Sequence, residues 1–147
     1  MSNVFSVNRG LMGETKIAKI TVEWCAKKLL PRFRTLDIEV IFKNFGDGTH
    51  AECHHMGGNE FEIYIQKGMK IFDLISALCH EMVHVKQYAR KEIKDIYDGP
   101  WHVGTMWKKS PRNWDKVEYV EQPWEKEAYR LEVPLAMECF REAHSDF

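Results

Sequence analysis

The sequence predicts an α+β fold in which a single domain covers residues 1–147. Three observations support this prediction: long segments with apolar residues at helical spacing, short segments with alternating apolar residues, and glycine-rich turns between the short segments. A chain of 147 residues can bury one hydrophobic core and is too short for two domains of ordinary size. We therefore expect one layer of helices packed on a small sheet.

The first predicted element is a helix over residues 15–30. Ile17, Ile20 and Trp24 recur at helical intervals, and the pattern ends before Pro31. The residues before this helix include two glycines and carry no clear periodicity, so we expect a loose start to the chain.

Three short segments with strand character follow, over residues 37–45, 49–56 and 60–66. Apolar residues alternate with polar ones most clearly in the first and third segments. Glycine-rich turns at 46–48 and 57–59 separate the three segments. The pattern predicts a small three-stranded antiparallel sheet.

The second half of the chain contains two further predicted helices. Apolar residues recur every three or four positions over 71–93, which predicts a long helix with one buried stripe. Residues 94–122 are irregular, and an irregular segment of this length in a small domain is typical of a functional loop or a lid. A last helix begins near Pro123 and runs towards Phe140, and Pro134 inside it is expected to kink or split it.

Composition excludes several classes of protein. The 21 Lys and Arg residues nearly cancel the 22 Asp and Glu residues, so no overall charge attracts the chain to nucleic acid or to anionic lipid. The four cysteines are scattered singly, which is typical of reduced thiols rather than of a disulfide framework. No segment has the length and apolarity of a membrane span or of a secretion signal, so we expect a cytoplasmic protein with no membrane partner.

The predicted helix over 71–93 contains the motif His80-Glu81-Met82-Val83-His84. Two histidines four residues apart lie on one helix face and can bind the same ion, whereas Glu81 is rotated by about 100° and projects beside that ion. Zinc lowers the pKa of a bound water molecule towards about 7, and a neighbouring carboxylate can take its proton. The alternative is a chance match with two solvated histidines. The apolar run before the motif argues against it.

A catalytic zinc site requires a third protein ligand, which the motif does not provide. Metzincins place glycine and histidine where this chain has Gln87 and Arg90, so that class is excluded. Two candidates remain on the sequence alone. Glu125 lies in the first turn of the last predicted helix, three residues before a small alanine that would allow close helix packing, and His102 lies in the segment Asp-Gly-Pro-Trp-His-Val-Gly.

Two segments of the chain resemble a known group of enzymes. Residues 80–88 read HEMVHVKQY and residues 123–128 read PWEKEA, and together they resemble the small gluzincin-like ImmA/IrrE-type and SprT-like metallopeptidases of bacteria and phages. The resemblance covers roughly residues 70–130. It implies a minimal zincin fold with an N-terminal helix, the small antiparallel sheet, the HExxH helix and a C-terminal helix.

The resemblance also implies a function and a site. Carried over to this chain, His80, His84 and Glu125 are the zinc ligands and Glu81 is the general base of a peptidase that hydrolyses peptide bonds through a zinc-bound water. In SprT-like proteins the third ligand is usually a loop histidine, which keeps His102 open as an alternative. Glu127 is a further alternative. The substrate is a protein or peptide, held along an edge strand supplied by residues 49–66.

Other residues have competing interpretations. Tyr119 or Tyr129 can donate a hydrogen bond to an oxyanion, although a buried structural tyrosine is the simpler interpretation of each. The run from Cys53 to His55 resembles a metal cluster, but neighbouring residues on a strand point to opposite faces, which favours a structural role.

Two alternative functions remain open besides hydrolysis. The chain can be a catalytically silent zinc-binding regulatory module, although Glu81 argues against this because a pure binding site needs no base. It can also be a SprT-like protease that acts on DNA-bound proteins, since aromatic and basic residues together suit single-stranded nucleic acid. The balanced net charge favours a loop held by its own tryptophans instead. The residues concerned are Trp101, Trp107, Trp114, Trp124, Lys108, Lys109, Arg112 and Lys116.

Overall fold

A computed structural model describes residues 2–108, 110, 112–114 and 116–145, and it confirms an α+β fold. The described residues form three helices and two sheets. In chain order the elements are β1 (Val4–Asn8), α1 (Met12–Leu29), β2 (Asp37–Lys43), β3 (Ala51–Gly57), β4 (Glu60–Gln66), α2 (Ile71–Ala89), β5 (Ile93–Asp98), β6 (Trp101–Trp107), a 3₁₀ turn (Tyr119–Glu121) and α3 (Pro123–Ala143). That residues 1–147 form one domain stays a prediction.

The main sheet differs from the predicted three-stranded antiparallel sheet. It has four strands in the order β1-β2-β4-β3, with β1 parallel to β2, β2 parallel to β4, and only β3 antiparallel to β4. The prediction was wrong because it left out β1 and made all pairings antiparallel, whereas β2 is parallel to both of its neighbours. Most residues of β3 are exposed, whereas β2 and β4 each bury every second residue, so β2 and β4 pair with each other and β3 takes the edge.

The hydrophobic core lies between one face of this sheet and the three helices. The buried residues of β2 and β4 are paired in register, for example Val40 with Ile63, and therefore cover the same face. Leu78 and Met82 of α2 are fully buried in the same cluster, as is Ala136 of α3. The opposite face of the sheet carries the polar residues of these strands.

Helix α1 begins three residues earlier than predicted. Glu14, in its first turn, accepts a hydrogen bond from the backbone N–H of Leu11 through Oε1 (3.1 Å) and one from the backbone N–H of Gly68 through Oε2 (2.7 Å). The carboxylate thus caps the helix and ties it to the turn before α2. The helix ends before Pro31, as predicted, because a residue that precedes proline avoids the helical conformation.

Helix α2 is buried around almost its whole circumference instead of along one stripe. From Leu74 to Ala89 its hydrophobic residues contact the sheet and α1, while its polar residues face α3. The helix ends four residues before the predicted end because Lys91 has a positive φ of 59°. The N–H of Lys91 bonds to the carbonyl of Tyr88, and the N–H of Glu92 to that of Gln87, a Schellman ending built without glycine.

The segment predicted as irregular over 94–122 contains a β-hairpin. Strands β5 and β6 pair antiparallel across the turn Gly99-Pro100, and Gly99 has a φ of 57°. The dipeptide Asp98-Gly99 is a strong hairpin signal, but the flanking residues do not alternate cleanly, since the register shifts between Ile96 and Tyr97. Of the described residues between β6 and α3, several lie in turns or bends and Tyr119–Glu121 form the short 3₁₀ turn.

Helix α3 begins at Pro123, as predicted, and continues without a break to Ala143. Pro134 therefore does not split the helix, and the other predicted effect, a kink at this residue, stays a prediction. Its side chain is exposed, so the ring has solvent on one side, and burial of Leu135 and Ala136 holds the next turn on the core. Among the described residues, no helix has both the length and the apolarity needed to cross a bilayer.

Candidate metal centre

Two helices bring three potential metal ligands together. His80 and His84 lie one turn apart on α2, and Glu125 lies in the first turn of α3. Glu125 Oε1 is 3.1 Å from His80 Nε2 and 3.2 Å from His84 Nε2. All three ligand atoms lie within 4.8 Å of one another, and all three residues are buried. Such a group of two imidazoles and a carboxylate could hold a metal ion.

Close packing of α3 on α2 places the carboxylate between the histidines. Trp124 and Ala128, on either side of Glu125, are 7% and 0% exposed. The small side chain of Ala128 permits the close helix contact that the sequence predicted. Because Glu125 lies in the first turn of α3, the free N–H groups of that turn also favour its negative charge.

A glutamine determines which nitrogen of His84 faces the carboxylate. Gln87 is fully buried, and its Oε1 lies 2.8 Å from His84 Nδ1. The Nε2 of Gln87 donates to the backbone carbonyl of Trp124 at 2.9 Å and to Glu127 Oε1 at 3.1 Å. Since the amide group donates to those two acceptors, its oxygen faces His84 and accepts a hydrogen bond from Nδ1–H. The Nε2 of His84 is thereby directed towards Glu125.

His80 has a comparable environment on its other side. Its Nδ1 lies 3.5 Å from Glu132 Oε2. Glu132 follows Glu125 by seven residues on α3 and therefore lies on the same face of that helix. The ring of Tyr129 packs edge-on against the imidazole of His80, with centroids 4.7 Å apart. Both histidines thus have an oxygen acceptor beside Nδ1 and Glu125 beside Nε2.

The charges of these groups depend strongly on one another. Burial raises the pKa of Glu125, but hydrogen bonds from His80 and His84 outweigh that effect and bring the pKa to about 2. Burial lowers the pKa of His84, and the hydrogen bond and charge of Glu125 more than compensate, so its pKa lies above the usual 6.5. An ion that binds between these groups takes the place of protons on the imidazoles. The donor set therefore fits a divalent cation that accepts nitrogen and oxygen ligands, and zinc is one.

Glu81 lies beside this group and lines a cleft of about 350 Å³. It is 7% exposed, and burial raises its pKa, although the nearby histidines oppose the shift. The cleft is lined by Gly48, Thr49, His50, Ala51, Ala77, His80, Glu81, Tyr119, Tyr129 and Glu132. The carboxylate of Glu81 therefore has access to a space in which a substrate can lie.

Tyr119 and Tyr129 both border the cleft, with ring centroids 6.4 Å apart. Burial raises the pKa of Tyr119 far above 10, and its hydrogen bonds with Tyr129 and Glu125 act in the same direction. The hydroxyl of Tyr119 is therefore protonated at neutral pH. Which of the two hydroxyls contacts a reacting group stays a prediction.

The two alternative third ligands, His102 and Glu127, lie outside the group formed by His80, His84 and Glu125. His102 is on β6, and its Nε2 lies 3.2 Å from Asp95 Oδ1 across the hairpin. Glu127 accepts hydrogen bonds from Lys86 Nζ at 2.9 Å and from Gln87 at 3.1 Å. Neither belongs to the group of close potential ligands found in the described part of the chain.

The residues from Cys53 to His55 alternate between the two faces of β3, as expected. His54 contacts Glu52 at 3.1 Å and the ring of Tyr64. His55 stacks on Phe61 on the other face, with centroids 4.9 Å apart. These residues do not form a shared group of ligands.

Most of the tryptophans hold the segment after β5. Trp107 packs near Trp124 with centroids 6.3 Å apart, the backbone N–H of Trp114 donates to the carbonyl of Thr105, and Arg112 lies over the Trp114 ring at 4.3 Å. Trp101 is 72% exposed and differs from the others. Lys109 lies outside the described residues. Whether this segment binds nucleic acid stays a prediction.

Gln87 and Glu132 were not among the residues selected from the sequence. A weak signal exists for each, because Gln87 follows His84 by three residues and Glu132 follows Glu125 by seven, so each pair shares a helix face. Comparison with protein-family models, with curated proteins and with solved structures yields no match to this chain.

Proposed function

We propose that this chain is a zinc-dependent metallopeptidase, with His80, His84 and Glu125 as the zinc ligands and Glu81 as the general base. The observation that supports this most strongly is the convergence of both Nε2 atoms on one buried carboxylate, next to a second buried carboxylate that borders a cleft. A purely structural metal site does not require a second carboxylate such as that of Glu81. Catalytic zinc sites commonly have three protein ligands of these types.

Zinc bound to these ligands would supply the positive charge that polarises a peptide carbonyl and makes water acidic. Glu81 accepts the proton of the attacking water and passes it to the nitrogen of the departing amine. Glu81 suits this role because it follows the ligand His80 directly and lines the cleft. We assign the hydroxyl of Tyr119 or Tyr129 to the oxyanion that forms at the carbonyl.

The free edge of β3 supports a polypeptide as the substrate. Ala51 at the start of β3 lines the same cleft as His80 and Glu81. The strand is at the end of the sheet, so its outer backbone groups are available to pair with an extended peptide. Such pairing recognises any extended backbone and therefore fits a peptidase.

The ligand set is tested by zinc content, measured by mass spectrometry on the purified chain after reconstitution with zinc. We expect about one zinc per chain. His84→Ala and Glu125→Ala should lose it, and His102→Ala, the matched control for a histidine outside the group, should keep it. Absence of zinc from the parent chain would refute the metal site, and loss in His102→Ala instead of Glu125→Ala would favour the SprT-like ligand set.

The reaction is tested with Glu81→Gln, which changes the base and leaves the ligands in place. We expect normal zinc content and a fall of at least 100-fold in hydrolysis of a quenched fluorescent peptide library, the lower limit of what a general base contributes. If the zinc-loaded parent chain cleaves no peptide, the catalytically silent binding module is the better description. Salt-sensitive binding to single-stranded DNA would favour the DNA-associated protease.

A further inference from the structure

Another cavity formed by the described residues lies away from Glu81. It has a volume of about 880 Å³ and separates the β3–β4 hairpin from the first residues of β5. One wall is formed by the end of β3 and its turn, the other by β5, and the end of α2 forms the floor. None of the metal-ligand candidates lines it.

The cavity and the catalytic cleft lie at opposite ends of β3. Ala51, at the start of the strand, lines the cleft with His80. His55, near its end, stacks on Tyr88 of α2 with ring centroids 4.8 Å apart. Tyr88 follows His84 by one helical turn, about 6 Å along the axis. The strand therefore extends from the candidate catalytic group to the cavity.

An extended peptide that pairs with the outer edge of β3 would pass both sites. The distance from Ala51 to His55 is about 14 Å at the usual strand rise of roughly 3.4 Å per residue. In the described part of the chain no strand pairs with this edge. A peptide residue that reaches the cavity is thus three or four positions from one at the cleft.

The walls of the cavity are aromatic and its rim is basic. The aromatic rings that line it are those of His55, Tyr88 and Tyr97; the His55 and Tyr88 centroids are 4.8 Å apart, and Tyr97 is 61% exposed. Lys91 and Lys94 are exposed at the rim. The one carboxylate in the lining, Asp95, lies 3.2 Å from the imidazole of His102. Aromatic walls favour stacking with another aromatic ring, and a basic rim favours an acidic segment around it.

We propose that this cavity is a substrate subsite for an aromatic side chain in an acidic, extended segment of polypeptide, three or four residues from the bond that is cleaved. This inference rests on the proposed peptidase function for the position of the cleaved bond. The stacking and pairing that bind the segment require only the cavity and the edge of β3. Binding and cleavage can therefore be tested separately.

The test uses the zinc-loaded Glu81→Gln chain as a trap and a display library of random decapeptides as the probe. We expect the selected peptides to share an aromatic residue, and its replacement by alanine to weaken binding at least tenfold in fluorescence anisotropy. In the double variant with His55→Ala this difference should vanish. In the double variant with His54→Ala it should persist, because His54 is an exposed histidine on the opposite face of the same strand.

The possible outcomes separate the subsite proposal from the peptidase proposal. Selected peptides that need the aromatic residue and His55, but that the parent chain does not cleave, would support the subsite and refute the peptidase. Cleavage of library peptides with no aromatic residue enriched three or four positions away would refute the subsite and leave the peptidase. Selection of no peptide, or an equal effect of the two histidine variants, would also refute the subsite.

Discussion

Replacement of Gln87 by leucine tests the hydrogen bond that orients the imidazole of His84. Leucine has a similar size and can fill the same buried space, but it removes the hydrogen bonds to His84 Nδ1 (2.8 Å), the Trp124 carbonyl (2.9 Å) and Glu127 (3.1 Å). Glu127 keeps its bond from Lys86, and the Trp124 carbonyl lies within α3, where the helix provides an amide donor four residues on, whereas the imidazole N–H loses its partner. One buried group left without a partner predicts a loss of about 1–3 kcal/mol in the free energy of unfolding.

The same change should weaken zinc binding. Partners that hold the non-ligating nitrogen of a metal-binding histidine typically contribute 10–100-fold in affinity, and we expect a loss in this range for Gln87→Leu. Zinc affinity is measured by competition with a chromophoric chelator, and stability by urea unfolding of the metal-free chain. A distinct effect on each quantity separates orientation of the ligand from general destabilisation.

Gln66→Leu is the matched control. Gln66 also makes hydrogen bonds through both ends of its amide, to Phe45 N–H (2.8 Å) and to Asn44 Oδ1 (3.0 Å), but it lies at the end of β4 away from the metal-ligand candidates. We expect it to reduce stability and to leave zinc affinity unchanged. If Gln87→Leu binds zinc within a factor of two of the parent chain, the reasoning about His84 is wrong.

Three further predictions concern stability. Gly10→Ala should cost about 1–3 kcal/mol in urea unfolding, because its Cβ would lie 2.8 Å from the ring of the fully buried Phe42; an unchanged midpoint would contradict the packing. Pro134→Ala should raise the thermal midpoint, because alanine restores a helical hydrogen bond at an exposed site, and a lower midpoint would show that the ring makes a needed contact. The metal-free chain should be most stable between about pH 4.5 and 6.5 in a urea series. The pKa of Glu125 is lowered from 4.5 to about 2, so its contribution to the free energy of unfolding is lost as pH falls through that range. The pKa of His84 is raised above 6.5, so its contribution is lost as pH rises above that value. Glu125→Gln should flatten the dependence of stability on pH at both the acidic and the basic end.

The long helices were predicted closely, but the order of the strands was not. Helical periodicity is a local property, and the predicted start of the last helix at Pro123 agrees with the structure. Strand order depends on which strands bury most surface together, and this favours β2 beside β4 over the sequential order. Strand β1 has five residues and only partial burial, so its alternation was too short to recognise. The end of α2 was missed because Lys91 adopts a conformation usually taken by glycine.

The candidate site could be predicted to the extent that helix geometry determines it. His80, Glu81 and His84 follow from spacing on one helix, and Glu125 from its place in the first turn of another. Gln87 and Glu132 act across the contact between α2 and α3, and the rotation of each helix about its axis is decided by the packing of the core. Sequence spacing alone does not determine this rotation. The cavity beside His55 likewise depends on the position of a hairpin that was expected to be irregular.

The separation of 41 positions between His84 and Glu125 has a consequence for how the centre is assembled during synthesis. The two histidines leave the ribosome well before the carboxylate, so an ion captured early meets an incomplete set of ligands and can dissociate. Only after the last 21-residue helix is made and docks on α2 are all three present. With the proposed ligand set, zinc bound at this stage would also link α3 to α2, and nascent or truncated chains that lack α3 should exchange zinc rapidly.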